Sequence, residues 1–290
     1  MNLLIGFLPA LLWGISPIVS TKTGGKPINQ MLGAGYGQFI IGIICFLIFR
    51  PAINLTDFIW CFLGGAAWSI AQLTQFMSFR KLNVSRAMPI STGLQIIEAT
   101  LAGVIFWGDW GTLMEKLIGF VSIILLILGI SFTSVHDRTP INQHLDYRSG
   151  LWLLFVGSFG YTACSVFPKI PNVNGITGTL PQGFGMFAGA LLIGSLYQLK
   201  HHQSIIFSKK TWENLTYGFF GALGGIFYMT SLKLNGAANA FPLTQLNVVV
   251  STLGGVIFLH ERKDHKELSF TVAGLVVIMI AAFMIARLSQ

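Results

Sequence analysis

The chain has 290 residues, 53% of them apolar and only 10% charged, with eighteen Lys and Arg against ten Asp and Glu and a mean hydropathy of +0.70. A soluble domain carries about 25% charged residues, so this composition excludes a water-soluble globular protein and makes a bilayer the natural solvent. Apolar runs of about twenty residues, enough to cross roughly 30 Å of hydrocarbon as a helix, exclude a barrel of short alternating strands and predict an all-α integral membrane protein.

In chain order the predicted spans are 3–20, 30–49, 57–78, 86–107 and 113–133. A polar linker follows over 134–149, carrying His136, Asp137, Arg138, Asp146 and Arg148. The remaining spans are 150–167, 179–199, 212–234, 238–260 and 268–287. The expected organisation is ten transmembrane helices, with an N-terminal five-helix unit over 1–133, the linker, and a C-terminal five-helix unit over 150–290. The first run is broken by Pro9 and Pro17 and has no small-residue cleavage pattern, so it reads as a span and not a removable signal. Cys45, Cys61 and Cys164 lie far apart inside apolar runs and read as small apolar fillers. The six histidines sit in loops or at span ends without metal-ligand spacing, so no metal and no cofactor are expected.

The two halves repeat. Thr100-Leu101-Ala102-Gly103-Val104-Ile105-Phe106 matches Thr252-Leu253-Gly254-Gly255-Val256-Ile257-Phe258. Lys81-Leu82-Asn83 precedes the first of these at the offset at which Lys233-Leu234-Asn235 precedes the second, and both spans end in acid, Asp109 and Glu261. Gly35-Tyr36-Gly37-Gln38-Phe39 likewise matches Gly183-Phe184-Gly185-Met186-Phe187. Five spans per half place the halves in opposite orientations, and inverted repeats are a signature of secondary transporters. Thirteen of the eighteen Lys and Arg fall in the loops after the odd-numbered spans. The positive-inside rule puts that face in the cytoplasm and both termini outside. The positive charge therefore reads as a topology signal, with no nucleic acid among the expected partners.

Several stretches look familiar: Leu12-Trp13-Gly14 with Ser16-Pro17, Gly24-Gly25-Lys26-Pro27, Ser85-Arg86-Ala87-Met88-Pro89, and Ser251-Thr252-Leu253-Gly254-Gly255 followed by His260-Glu261-Arg262-Lys263-Asp264. Together they resemble the glucose/ribose porter family of the drug/metabolite transporter superfamily over nearly the whole chain. The resemblance implies ten helices and proton-coupled uptake of a monosaccharide across a bacterial plasma membrane. The Gly-Gly-Lys-Pro loop and the region from Phe167-Pro168 to Pro181-Gln182 look more like the ribose members, and Ser-Thr-Leu-Gly-Gly also like the glucose members. The superfamily pattern implies cytoplasmic termini, opposite to the charge count.

Transport needs polar groups at midplane depth, where each is costly unless it meets a cavity or a partner. Of the ten acids, Glu98 alone lies deep in an apolar run. Ser91, Gln95, Glu98 and Ala102 follow at i+4, i+3 and i+4 and make one polar or small stripe. Burial disfavours a charged carboxyl, so Glu98 is the proton-coupling candidate; the alternative is a hydrogen-bonded structural acid. One charge crossing 100 mV gains about 2.3 kcal/mol, enough for roughly fifty-fold accumulation. Trp68, Gln72, Gln75 and Phe79 share a face. Amides donate and accept as sugar hydroxyls require, and rings stack on sugar C–H faces, although amides also serve as interhelical glue.

Further substrate-binding candidates are Trp13 and Ser16 on the first span, Tyr161 on the sixth, Tyr228 on the eighth, and Asn247 and Ser251 with adjacent Gln245 on the ninth. Each is otherwise a packing residue. Gly33/Gly37, Gly185/Gly189 and Gly221/Gly225 read as close helix contacts, and Pro89 and Pro242 as openings of corresponding spans. Clustered catalytic groups and nucleotide-binding loops do not occur in the sequence, so an enzyme is not expected. The alternatives are an exporter of small metabolites or drugs, and a non-transporting accessory or receptor protein.

Overall fold

A computed structural model describes residues 3–108, 110–135, 145–173, 175–235 and 243–288. Asp109, most of the linker with His136, Asp137, Arg138 and His144, and the segment 236–242 with Pro242 lie outside the described residues. All regular structure among the described residues is helical: α1 (Leu3–Thr23), α2 (Pro27–Phe49), α3 (Leu55–Leu82), α4 (Val84–Ala102), α5 (Leu113–Thr133), α6 (Tyr147–Val166), α7 (Gly175–His201), the short α8 (Lys209–Glu213), α9 (Leu215–Asn235), α10 (Asn247–Phe258) and α11 (His265–Leu288). Among them α1, α2, α4 with its extension to Trp107, α5, α6, α7 and α11 are both long and apolar enough to cross a membrane. Such side chains as Leu47, Ile48, Phe120 and Leu196 stay exposed on the outside of the bundle, where lipid tails would cover them.

The boundaries follow local chemistry. Pro27 occupies the first turn of α2, where its missing N–H costs nothing, so the helix begins three residues before the expected position 30. Asn54 opens α3 by accepting from the Asp57 N–H at 2.8 Å. Thr112 and Glu115 form a reciprocal capping box at the start of α5, which spans the expected 113–133. A single residue, Asn83 (φ 67°), joins α3 to α4. Pro89 therefore lies inside α4 and does not open it, a correction to the sequence reading; its missing N–H removes the bond to the Ser85 carbonyl. The span expected from 212 divides into α8, capped by Ser208, and α9, because the Asn214 side chain turns back onto the carbonyls of Gly24 and Lys210.

Packing pairs the helices in a regular way. α3 lies against α6 and α7, and α9 against α1 and α2. α4 contacts α6, and α10 contacts α1. α2 packs on α7, α4 on α10 and α5 on α11. Glycines permit the closest crossings. A Cβ on Gly218 would stand 2.2 Å from the Ala34 carbonyl, and one on Gly185 2.0 Å from the Phe62 carbonyl.

The loops after α1, α3, α7 and α10, with Asp146 before α6, gather at one end of the bundle, hereafter the basic face. Arg80 donates to the Gly25 carbonyl, Lys26 to Gln203, and Lys210 to the Thr23 carbonyl at 2.8 Å. Lys81 pairs with Asp146 at 2.8 Å, which holds that exposed carboxyl below its usual range.

Candidate functional site

The amides predicted to share a face of α3 do so, and they meet two tyrosines. Tyr161 of α6 lies 3.0 Å from Gln72 Oε1 and 2.7 Å from Gln75 Oε1. Tyr217 of α9 donates to Gln72 Oε1 at 3.2 Å. Gln72 Nε2 faces Gln75 Oε1 at 3.3 Å. Both glutamines are buried, as is Trp68 one turn away in the same core. A phenol has one hydrogen, so Tyr161 satisfies one amide carbonyl at a time. The other carbonyl can accept from an incoming hydroxyl without breaking the scaffold.

The array continues onto α4. Gln75 Nε2 donates to Ser91 Oγ at 2.8 Å, and Gln95 Nε2 to the same oxygen at 3.0 Å. One turn further, Glu98 crosses to α6. Ser158 donates to its Oε1 at 2.5 Å and Thr162 to its Oε2 at 2.9 Å. The Ser91–Gln95–Glu98 stripe thus faces the Ser158–Tyr161–Thr162 stripe. Ser158 also reaches the Phe155 carbonyl at 2.7 Å. As a carboxylate, Glu98 accepts from both hydroxyls. With a proton it can donate to Ser158, whose hydrogen then turns to Phe155. Each protonation state has partners.

The remaining candidates lie on α1, α9 and α10. Trp13 Nε1 donates to the Gly221 carbonyl at 2.9 Å, and its ring lies 6.1 Å from that of Tyr228. Ser16 bonds to its own helix at Leu12, 2.6 Å away. Gln245 is buried, with Nε2 3.2 Å from Thr244 Oγ1. Ser251 donates to the Val248 carbonyl at 3.1 Å. Asn247 opens α10 with a buried side-chain oxygen, and its carbonyl packs against Gly14. The candidates therefore form two sets, and α9 touches both: Tyr217 reaches the amide array, while Gly221 and Tyr228 meet Trp13.

Sequence reasoning missed Tyr217, Ser158 and Thr162. Tyr217 and Tyr228 are eleven residues apart, about three turns, so both fall on one stripe and periodicity could not choose between them. Ser158 and Thr162 flank Tyr161 at helical spacing, a signal that was available.

Fold and site define a multi-pass membrane protein with a buried, mostly neutral hydrogen-bonding array. Comparison with known proteins makes this specific: the chain belongs to the family described as "Sugar transport protein", whose model matches residues 4–288. A relative from Listeria monocytogenes named "Putative sugar uptake protein" is 36% identical over 285 residues, covering 98% of both chains. A Latilactobacillus sakei protein named "Putative ribose uptake protein RbsU" is 37% identical over 97% of this chain and 96% of its own. A Staphylococcus aureus protein of the same name is 35% identical over the same shares. A crystal structure of another protein, 15% identical, matches with a TM-score of 0.63 over 99% of this chain and 98% of its own, which shows a shared fold.

Proposed function

We propose that this protein is a secondary active transporter that imports a monosaccharide, ribose before glucose, by proton symport through alternating access. The observation that carries the reading is the amide–phenol array of Gln72, Gln75, Tyr161 and Tyr217, joined through Ser91 and Gln95 to Glu98. Neutral groups with spare acceptors and donors suit a neutral polyol, and one acid beside them suits a proton. The names of the Latilactobacillus and Staphylococcus relatives favour ribose.

The architecture we propose is ten spans in two inverted five-helix halves. The packing supports it: α3 meets α6 and α7 as α9 meets α1 and α2, and α4 meets α6 as α10 meets α1. The repeated Gly-aromatic-Gly segments of α2 and α7 also lie against each other, Gly35 on the Met186 carbonyl and Gly183 on the Gln38 carbonyl. Two such halves can exchange conformations and so exchange the open side. The Lys and Arg count favours a cytoplasmic basic face with both termini outside.

The test is uptake of radiolabelled ribose by the purified protein in liposomes, with and without an inward proton gradient, and with glucose as competitor. Glu98→Gln runs beside the wild type. So does Lys263→Met, because burial beside Arg86 draws the Lys263 ammonium down to about 7, so that this lysine could itself carry a proton. Gradient-driven accumulation, lost in Glu98→Gln with exchange retained and kept in Lys263→Met, supports a ribose–proton symporter coupled at Glu98. Absence of ribose and glucose uptake in tight vesicles overturns the sugar reading.

A further inference from the structure

Among the described residues, which leave out Asp109 and 236–242 at the opposite end, the two ends of the bundle are tied differently. At the basic face a carboxylate from the C-terminal half is seated on the first turn of α4. Glu261 Oε1 accepts from the Val84 N–H at 2.7 Å, and Oε2 from the Ser85 N–H at 2.8 Å. Those amides have no partner within their own helix, and a negative charge at a helix N-terminus is favoured. The next residue, Arg86 of α4, pairs with Glu267 of α11 at 2.8 Å, with 0% and 1% of the two residues exposed. Lys263 donates to Thr271 at 2.7 Å beside them. Gly255 of α10 lets the helices close up, since a Cβ there would lie 3.1 Å from Ser85 Cβ. All four ion pairs described are at this face. At the opposite face, the hydrogen bonds described at the loops after α2, α4 and α6 are local. They run between Asn54 and Asp57, between Thr112 and Glu115, and within 167–173.

A buried ion pair is a poor source of net stability, because desolvation offsets the attraction, and its best-attested use is to fix one arrangement among several. The arrangement fixed here is the seat of α4, the helix that carries Ser91, Gln95 and Glu98. We propose that Glu261, Arg86 and Glu267 form a latch that holds the basic face shut, and that its release opens that face to the Gln72–Gln75 array. This rests on the alternating-access reading and adds which groups part. The arrangement described is the latched one, closed at the basic face. The helix-amide bonds to Glu261 break when α4 leaves the 259–264 loop, and the Arg86–Glu267 pair separates with them.

The latch is tested by amide hydrogen exchange of the full-length protein in lipid nanodiscs, for wild type, Glu261→Ala and Glu261→Gln. Glu261→Ala is expected to raise exchange of the 84–88 amides about tenfold, the scale of a lost helix cap. It is also expected to raise exchange in the basic-face loops and to lower it at 50–56 and 167–173 as the opposite face closes. Glu261→Gln keeps one acceptor oxygen and falls between. Faster exchange confined to 84–88, with both faces otherwise unchanged, would mean a plain helix cap and overturn the latch.

A second variant, Ser85→Cys with Gly255→Cys, locks the seat. Its Cβ atoms need to part only a few tenths of an ångström to reach disulfide range; the new Cβ at 255 would stand 2.7 Å from Glu261 Oε2, so the disulfide takes over from that carboxylate in holding α4 on α10. Once oxidised, it is expected to lose at least about nine-tenths of ribose uptake and to regain it with reductant; undiminished uptake by the cross-linked protein would overturn the proposal. A wild type that carries no sugar fails the transport reading alone, and the exchange experiment still decides the latch.

Discussion

The α3–α6 contact and the α1–α9 contact each join a helix before the polar linker to one after it, yet they are chemically unlike. Between α3 and α6, two buried amides share one phenol hydrogen, so carbonyl capacity is left over. Between α1 and α9, the indole's one donor is used on the Gly221 carbonyl at 2.9 Å, and Gly224 lies under the ring, where a Cβ would meet Trp13 Nε1 at 2.3 Å. On the transporter reading proposed above, one contact keeps capacity for a solute while the other is a packed aromatic contact. What separates them is whether hydrogen-bonding capacity is spent, because a polar group already satisfied by backbone has little to offer a solute.

The most damaging way to test that contrast is Gln75→Leu. It keeps the volume but strands the buried Gln72 Nε2, whose acceptor is Gln75 Oε1, and leaves Tyr161 with Gln72 alone and Ser91 with Gln95 alone. Leaving such partners unmatched costs about 1–3 kcal/mol, so kcat/KM for ribose uptake should fall roughly ten- to hundredfold while the protein remains monodisperse in detergent. A fall below twofold in a transport assay would remove the amides from the pathway and make them interhelical glue.

Trp13→Phe asks the converse. It deletes the bond to Gly221 and keeps most of the ring contact with Tyr228. Thermal unfolding should shift by the equivalent of about 1 kcal/mol, with KM for ribose changing less than about twofold. A large rise in KM at unchanged stability would place α1 in the binding site and erase the difference between the two contacts.

Much of this was legible before the fold. The run 113–133 emerged as α5 with its expected ends because an apolar stretch and a Thr112–Glu115 box agree. The stripe of Ser91, Gln95 and Glu98 was readable because helical spacing alone defines a face, and the Gln95–Ser91 bond lies along it. What spacing cannot give is the partner across an interface. That Glu98 meets Ser158 and Thr162, that Gln72 meets Tyr217, and that Glu261 seats on α4 depend on how helices distant in sequence are rotated against one another. The start of α9 was misjudged for a related reason. Asn214 breaks the helix by reaching the Gly24 carbonyl, 190 residues away in sequence, and no local pattern announces that contact.

The finest test lies on α9, where the two contacts are bridged. Tyr217 gives its hydroxyl to Gln72 at 3.2 Å and packs its ring edge-on against Phe76, with centroids 5.0 Å apart. Tyr217→Phe removes the hydroxyl and leaves the ring. The loss of one neutral hydrogen bond is worth about 0.5–1.5 kcal/mol, and here it is softened because Tyr161 can swing its single hydrogen to Gln72. KM for ribose should therefore rise only about two- to fivefold, with kcat nearly unchanged. In Tyr217→Phe combined with Tyr161→Phe both phenol donors are gone, so the pair should cost more than the sum of the single changes. Simple additivity in that double-mutant cycle would mean the two tyrosines act at separate sites, and the amide carbonyls would lose their standing as one shared array.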